Sequence, residues 1–124
     1  MIKKDKVSLW LGKFSNEAAF NQYIDVKYDE DGNLVPSKFQ KDYQIAKYDL
    51  DAIESDWIEN RCASLNDLLT GFTCYEEILP VAESLMCSEK SKYNSIVLMY
   101  NFEFKGVQAE NSNLKFIGSM DAHL

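Results

Sequence analysis

One histidine, three cysteines and a large excess of carboxylates are the residues of this chain with reactive potential. His123 is the only histidine, and it sits beside the C-terminal Leu124, where ordering is usually poor. A nucleophile activated by histidine needs a fixed imidazole, so His123 is a weak candidate base. Cys62, Cys74, Cys87 and His123 have the chemistry of a Cys3His zinc set, but the gaps between them are 12, 13 and 36 positions. Structural zinc sites bring their ligands in close pairs, so this spacing points to ordinary cysteines. Asp29, Asp31 and Asn33 alternate like the start of a calcium loop. Counted from Asp29, the sixth residue is Leu34 and the twelfth Gln40, where an EF-hand requires Gly and Glu. The chain has no glycine-rich phosphate loop and no Gly-x-Ser-x-Gly. Among 20 acidic residues, nothing singles out a catalytic pair. The expectation is a protein without enzyme activity, metal or cofactor.

Binding chemistry is better represented. Formal net charge is -7, and residues 1–6 hold three lysines and one aspartate, or +2, which leaves -9 for the rest. Nucleic acid and anionic membrane surfaces are therefore poor partners, and a basic protein is a good one. Nine acidic residues fall between Asp29 and Glu59: Asp29, Glu30, Asp31, Asp42, Asp49, Asp51, Glu54, Asp56 and Glu59. Lys38, Lys41 and Lys47 reduce that stretch to -6. Tyr28 immediately precedes the stretch, and Phe39, Tyr43, Tyr48 and Trp57 lie within it. Carboxylates that steer beside aromatics that anchor are what a face for a basic partner shows. The candidate partner-binding residues are Asp29, Glu30, Asp31, Asp49, Asp51, Glu54, Asp56 and Glu59. The competing reading is a solvated edge that keeps the protein soluble, with its aromatics in the core.

The elements that must hold these residues follow from apolar periodicity. Tyr93 to Phe104 contains the unbroken apolar run Ile96-Val97-Leu98-Met99, and reads as a central strand covered on both faces. Strict alternation in its second half would put Tyr100, Phe102 and Phe104 on one face. Leu114 to Ser119 is a further strand, expected to pair with it as an antiparallel hairpin across a long loop. Val7, Leu9 and Leu11 alternate with Ser8 and Trp10 in a first strand, and Gly12 ends it. A helix from about 16 to 27, capped by Ser15, has Ala19, Phe20, Tyr23 and Ile24 as its core face. Residues 29–33 are a turn, and Ser37 caps a short helix from Lys38 to about Gln44. Ile53 to Ile58 fits a strand better than a helix. Ser64 caps a helix through Leu69 that stops at Gly71, and Thr73 with Glu76 makes a capping box for the next helix, which contains Pro80. The sum is an α+β fold: one domain over 1–124, a mainly antiparallel sheet with helices packed on it, and residues 1–6 as a flexible basic tail. No segment has the apolar length of a membrane helix, and the basic start leads into too short an apolar run for a signal peptide. The cytoplasm is the expected compartment, with reduced thiols.

Two stretches carry a resemblance. Val7-Ser8-Leu9-Trp10-Leu11-Gly12-Lys13-Phe14 with the following helix, Tyr28-Asp29-Glu30-Asp31-Gly32 and Pro36-Ser37-x-Phe39 resemble the start of the bacterial immunity protein 22 family. Tyr93-Asn94-Ser95-Ile96-Val97-Leu98-x-Tyr100-x-Phe102 and Leu114-Lys115-Phe116-Ile117-Gly118-Ser119 resemble its C-terminal part. The resemblance implies an antidote encoded beside a polymorphic toxin, which binds the toxin domain so that producer and kin survive. It implies no enzyme activity and carries over no binding residues. The expected function is binding and neutralisation of a cognate toxin, most naturally a basic nuclease domain. The alternative is an acidic adaptor or nucleic-acid mimic that binds another protein.

Overall fold

The computed structural model of the chain describes residues 2–45, 52–59, 68–85, 93–109 and 112–123. The elements in order are β1 (Ile2–Gly12), α1 (Glu17–Ile24), β2 (Lys27–Tyr28), β3 (Leu34–Val35), α2 (Lys38–Tyr43), β4 (Ile53–Trp57), α3 (Tyr75–Leu85), β5 (Ser95–Phe102) and β6 (Leu114–Asp121). Four strands form one sheet in the order β4-β5-β1-β6, and each neighbouring pair is antiparallel. β2 and β3 form a separate two-stranded hairpin. The architecture is α+β, as the periodicity predicts.

β1 and β5 are the inner strands, and their alternation divides the core in two. Val7, Leu9 and Leu11 of β1 meet Ile96, Leu98 and Tyr100 of β5 on one face. Ile78 and Ala82 of α3 cover that face, together with Leu68 and Leu69 of the preceding helical turn. On the other face Trp10 lies with Val97, Met99 and Phe102 beneath Phe20 and Tyr23 of α1 and Phe39 and Tyr43 of α2. Trp10 makes edge-on contact with Phe39 at 5.0 Å and with Tyr43 at 5.8 Å between ring centroids. β1 ends where a side chain no longer fits, since a Cβ at Gly12 would stand 2.4 Å from the Asn113 carbonyl oxygen.

Several expectations change here. The β5–β6 hairpin does not form, because β1 lies between the two strands and pairs with both. Both run antiparallel to β1, so they run parallel to each other. A strand apolar on both faces belongs inside a sheet, and this insertion puts β1 there. The alternation expected through Phe104 also breaks. Tyr100 packs with the Leu9 face, whereas Phe102 and Phe104 pack with Trp10. Asn101 takes a left-handed backbone (φ 54), opposite Asp5 (φ 60), and the pairing slips between Val7↔Tyr100 and Ile2↔Phe102. Asn tolerates that conformation, and such a bulge turns the next side chain to the opposite face. The Asp5 amide donates to Asn101 Oδ1 across the bulge at 3.0 Å. The basic segment taken as a tail is extended from Ile2 onward as the opening of β1.

Helix ends differ by small steps. Asn16 caps α1, with its side chain accepting from the Ala19 amide, so Ser15 is not the cap, and the helix stops at Ile24. Ser37 caps α2 as expected, and Gln40 completes a capping box. β4 is a strand, which settles the ambiguity over Ile53 to Ile58. The Ser64 cap lies outside the described residues. Leu68 and Leu69 are helical and buried, and Gly71 follows with φ +94.

The bulge leaves polar backbone to be satisfied inside the core, and Ser8 does this. Ser8 is fully buried. Its Oγ donates to the Phe102 carbonyl at 2.8 Å, accepts from the Phe104 amide at 2.9 Å and meets Ser119 Oγ at 2.7 Å. Ser8→Ala is expected to cost about 1–3 kcal/mol, the penalty of stranding a buried polar group. Leu98→Ala, at a fully buried site in β5, is expected to cost about 2–5 kcal/mol. Denaturant titration measures both, and a loss under about 1 kcal/mol for Leu98→Ala would contradict its central place.

Candidate partner-binding face

β4 forms because Ile53 and Trp57 can face the Trp10 cluster while the residues between them stay out of it. The strand lies at one edge of the sheet and carries Glu54 and Asp56, with Glu59 just beyond its end. Glu54 is partly exposed and accepts from Thr73 Oγ1 at 3.1 Å. Asp56 is exposed, and its carboxylate accepts from the Trp57 amide at 2.9 Å. Glu59 is exposed on the rim of a cavity of about 750 Å³, whose walls include Phe14, Asn16, Trp57 and Tyr93, with Lys13 also present. The Trp57 Nε1 atom is buried there and has no hydrogen-bond acceptor among the described residues.

The bond from Thr73 corrects one expectation and reveals an addition. Thr73 does not build a capping box with Glu76, because its hydroxyl is turned to Glu54. α3 starts after Cys74, whose carbonyl accepts from the amides of Glu77 and Ile78. Glu76 and Glu77 stand in that first turn, both exposed, where the helix dipole favours negative charge. The tertiary structure thus ties the segment just before this acidic helix start to the Glu54 strand. In sequence the Glu76–Glu77 pair reads only as a helix start.

The other sequence-selected carboxylates separate. Asp29, Glu30 and Asp31 lie at the β2–β3 turn, apart from the main sheet. Asp29 is a structural residue there: its Oδ1 accepts from the amides of Asp31 at 2.9 Å and Asn33 at 2.8 Å, and Gly32 supplies a positive φ of 79. Glu30 and Asp31 remain exposed. Asp49 and Asp51 lie outside the described residues.

His123 is held more firmly than its position suggested. Its Nδ1 is 3.0 Å from Glu77 Oε2, which also accepts from the His123 amide at 3.1 Å. The Cys74 thiol donates to the His123 carbonyl at 3.2 Å, so the thiol's bond goes to backbone and not to the imidazole. No group of three or more metal-ligating side chains is assembled among the described residues, and Cys62 and Cys87 fall outside them.

The lysines expected in the tail are engaged elsewhere. Glu103 lies 3.1 Å from Lys105 Nζ and 3.7 Å from both Lys3 and Lys6, and Lys6 reaches Asp121 at 2.8 Å. The hydrogen bond from Lys105, with the charges of Lys3 and Lys6, holds the Glu103 carboxyl below its ordinary range. Lys6 does the same for Asp121, and in return Asp121 raises the Lys6 ammonium. A lowered carboxyl stabilises the fold above its unfolded value and loses that contribution as pH falls through the folded value. Glu103→Gln is therefore expected to be less stable than wild type at neutral pH, with the gap narrowing below the ordinary glutamate value of 4.5. Thermal unfolding from neutral to acid pH checks this, and a gap that stays constant would show that the charge does not act.

The fold and this face together define a small α+β binding domain with a carboxylate-bearing sheet edge. Among the described residues no helix is long and apolar enough to cross a membrane. The chain belongs to the Immunity protein 22 family, whose model matches residues 7–122. That match runs from within β1 to the end of β6 and includes the middle of the chain, which lies outside the two stretches that carry the resemblance. Membership supports an immunity-protein role, which implies binding of a cognate toxin. No curated protein and no solved structure matches the chain.

Proposed function

We propose that this protein neutralises a basic toxin domain in the cytoplasm by covering the toxin's working surface, with no chemistry of its own. The observation that carries the reading is the placement of Glu54 and Asp56 on one edge strand, with Glu59 just beyond its end. Like charges packed this way repel, so folding gains little from them, whereas a cationic partner gains from all of them at once. A nuclease is the natural target, since a protein that grips phosphates is itself basic. Asp49 and Asp51 precede β4 in the chain and extend the same acidic stretch. Glu30 and Asp31 form a second acidic tip on the hairpin. Asp29 holds its own turn through Oδ1 and adds its charge to that tip.

The test uses the toxin domain encoded beside this chain. Glu54→Gln, Asp56→Asn and Glu59→Gln together are expected to slow association about tenfold or more at low salt and to flatten its salt dependence. A second variant adds Asp49→Asn and Asp51→Asn. Stability should change by less than about 1 kcal/mol per site. Stopped-flow association at two salt concentrations, with a toxicity assay in co-expressing cells, measures both. Full protection and a wild-type association rate from the neutralised proteins would reduce the acidic edge to a solubility feature.

A further inference from the structure

The two edges of the sheet are not equivalent. At the start of β6 the outward amides are already occupied: Leu114 donates to Ser112 Oγ at 3.1 Å and Phe116 to Gln108 Oε1 at 2.9 Å. Gly118 lies beneath Leu85 of α3, where an added Cβ would come within 2.6 Å of that side chain. The β4 edge differs. The Ile58 amide donates inward to the Asn94 carbonyl at 2.8 Å. Peptide groups alternate along a strand, so Glu54 and Asp56 also face β5, while Ile53, Ser55 and Trp57 direct their amides and carbonyls away from the sheet. The outward Trp57 amide is held by the Asp56 carboxylate. Among the described residues, no strand pairs with this side of β4.

Resting on the toxin-binding reading above, we propose that the toxin supplies an extended, basic segment that pairs with β4 and becomes a fifth strand of this sheet. Exposed edges are templates for strand addition, and proteins usually blunt them with covering elements or charge. Among the described residues the one blunting contact is a carboxylate, and a cation can draw it off. A lysine or arginine on the incoming strand takes up Asp56 and releases the Trp57 amide into the new ladder. Glu54, two residues earlier, favours a second cation on the same face, since opposite charges across a strand pair stabilise it. Where β4 ends, the cavity offers the Glu59 carboxylate beside the Trp57 and Tyr93 rings. Carboxylate and aromatic faces together suit a guanidinium or ammonium group.

Ser55→Pro tests the ladder directly. It removes an outward amide and leaves the bonds to β5 intact, and proline is tolerated on an edge strand. The variant is expected to unfold at the wild-type denaturant midpoint and to bind the toxin domain about tenfold more weakly, as one lost intermolecular hydrogen bond and a disturbed register require. Amide hydrogen exchange on the wild-type complex gives an independent readout, in which the Ile53 and Ser55 amides become protected only when toxin is bound. If Ser55→Pro fails to fold, exchange on the wild-type complex decides alone. Wild-type affinity in the proline variant, or Ile53 and Ser55 amides that exchange as fast bound as free, overturns strand addition while toxin binding stands. Wild-type protein that does not bind the toxin at all overturns the immunity reading itself.

Discussion

The structure depends on burying both faces and both edges of one strand. From Val7 to Leu11 every residue of β1 is out of solvent. Each large apolar side chain placed there contributes about 1.5–3 kcal/mol relative to exposure. That gain is available only if the sheet is covered on both sides, and the helices serve that end. α1 has 8 residues and α2 has 6, lengths at which isolated helices do not persist in water. They hold because Phe20, Tyr23, Phe39 and Tyr43 close over Trp10. α3 does the same for the opposite face with Ile78 and Ala82, even with Pro80 inside it.

Several polar groups inside this core find their partners within it. Ser8 resolves the backbone freed by the Asn101 bulge. The tyrosines stitch the crossover between β5 and β6 to the helices. Tyr43 Oη donates to the Leu114 carbonyl and accepts from Gln108 Nε2 at 2.7 Å. Tyr23 Oη donates to Asp42 at 2.7 Å and meets Ser112 Oγ. Burial, above all, raises both phenols above their ordinary range, so they remain protonated and serve as donors. The same crossover supplies the Gln108 and Ser112 side chains that occupy the β6 edge. The topology that centres β1 therefore also makes the two sheet edges chemically different.

Charge follows from the same constraint. With both sheet faces covered, carboxylates are kept to edges, turns and the solvent sides of helices. Those near the N-terminal segment meet Lys3, Lys6 and Lys105 and are neutralised locally. Those on β4 and at the start of α3 meet no lysine among the ion pairs of the described residues.

Local sequence was enough to determine the α+β class, the two faces of β1, the core stripe of α1, the Ser37 cap, the 29–33 turn and the strand at Ile53. Each of these is set by periodicity or by a side chain bonding within four residues of itself. The acidic stretch was equally visible as composition. Partnership across the chain was not. The pairing of β1 with both β5 and β6 joins residues about a hundred positions apart, and the apolar patterns of β5 and β6 fit a hairpin just as well. The Asn101 bulge inverts Phe102 because Asp5 faces it, which no window around Asn101 contains. Likewise the eight selected carboxylates looked like one patch, yet Asp29 Oδ1 is taken up by its turn, and Glu54 is tied to Thr73 rather than to its acidic neighbours. Short-range hydrogen bonding and hydrophobic period are written along the chain, whereas the choice of strand neighbours, and with it which edge stays open, arises only when distant segments compete to cover the same apolar strand.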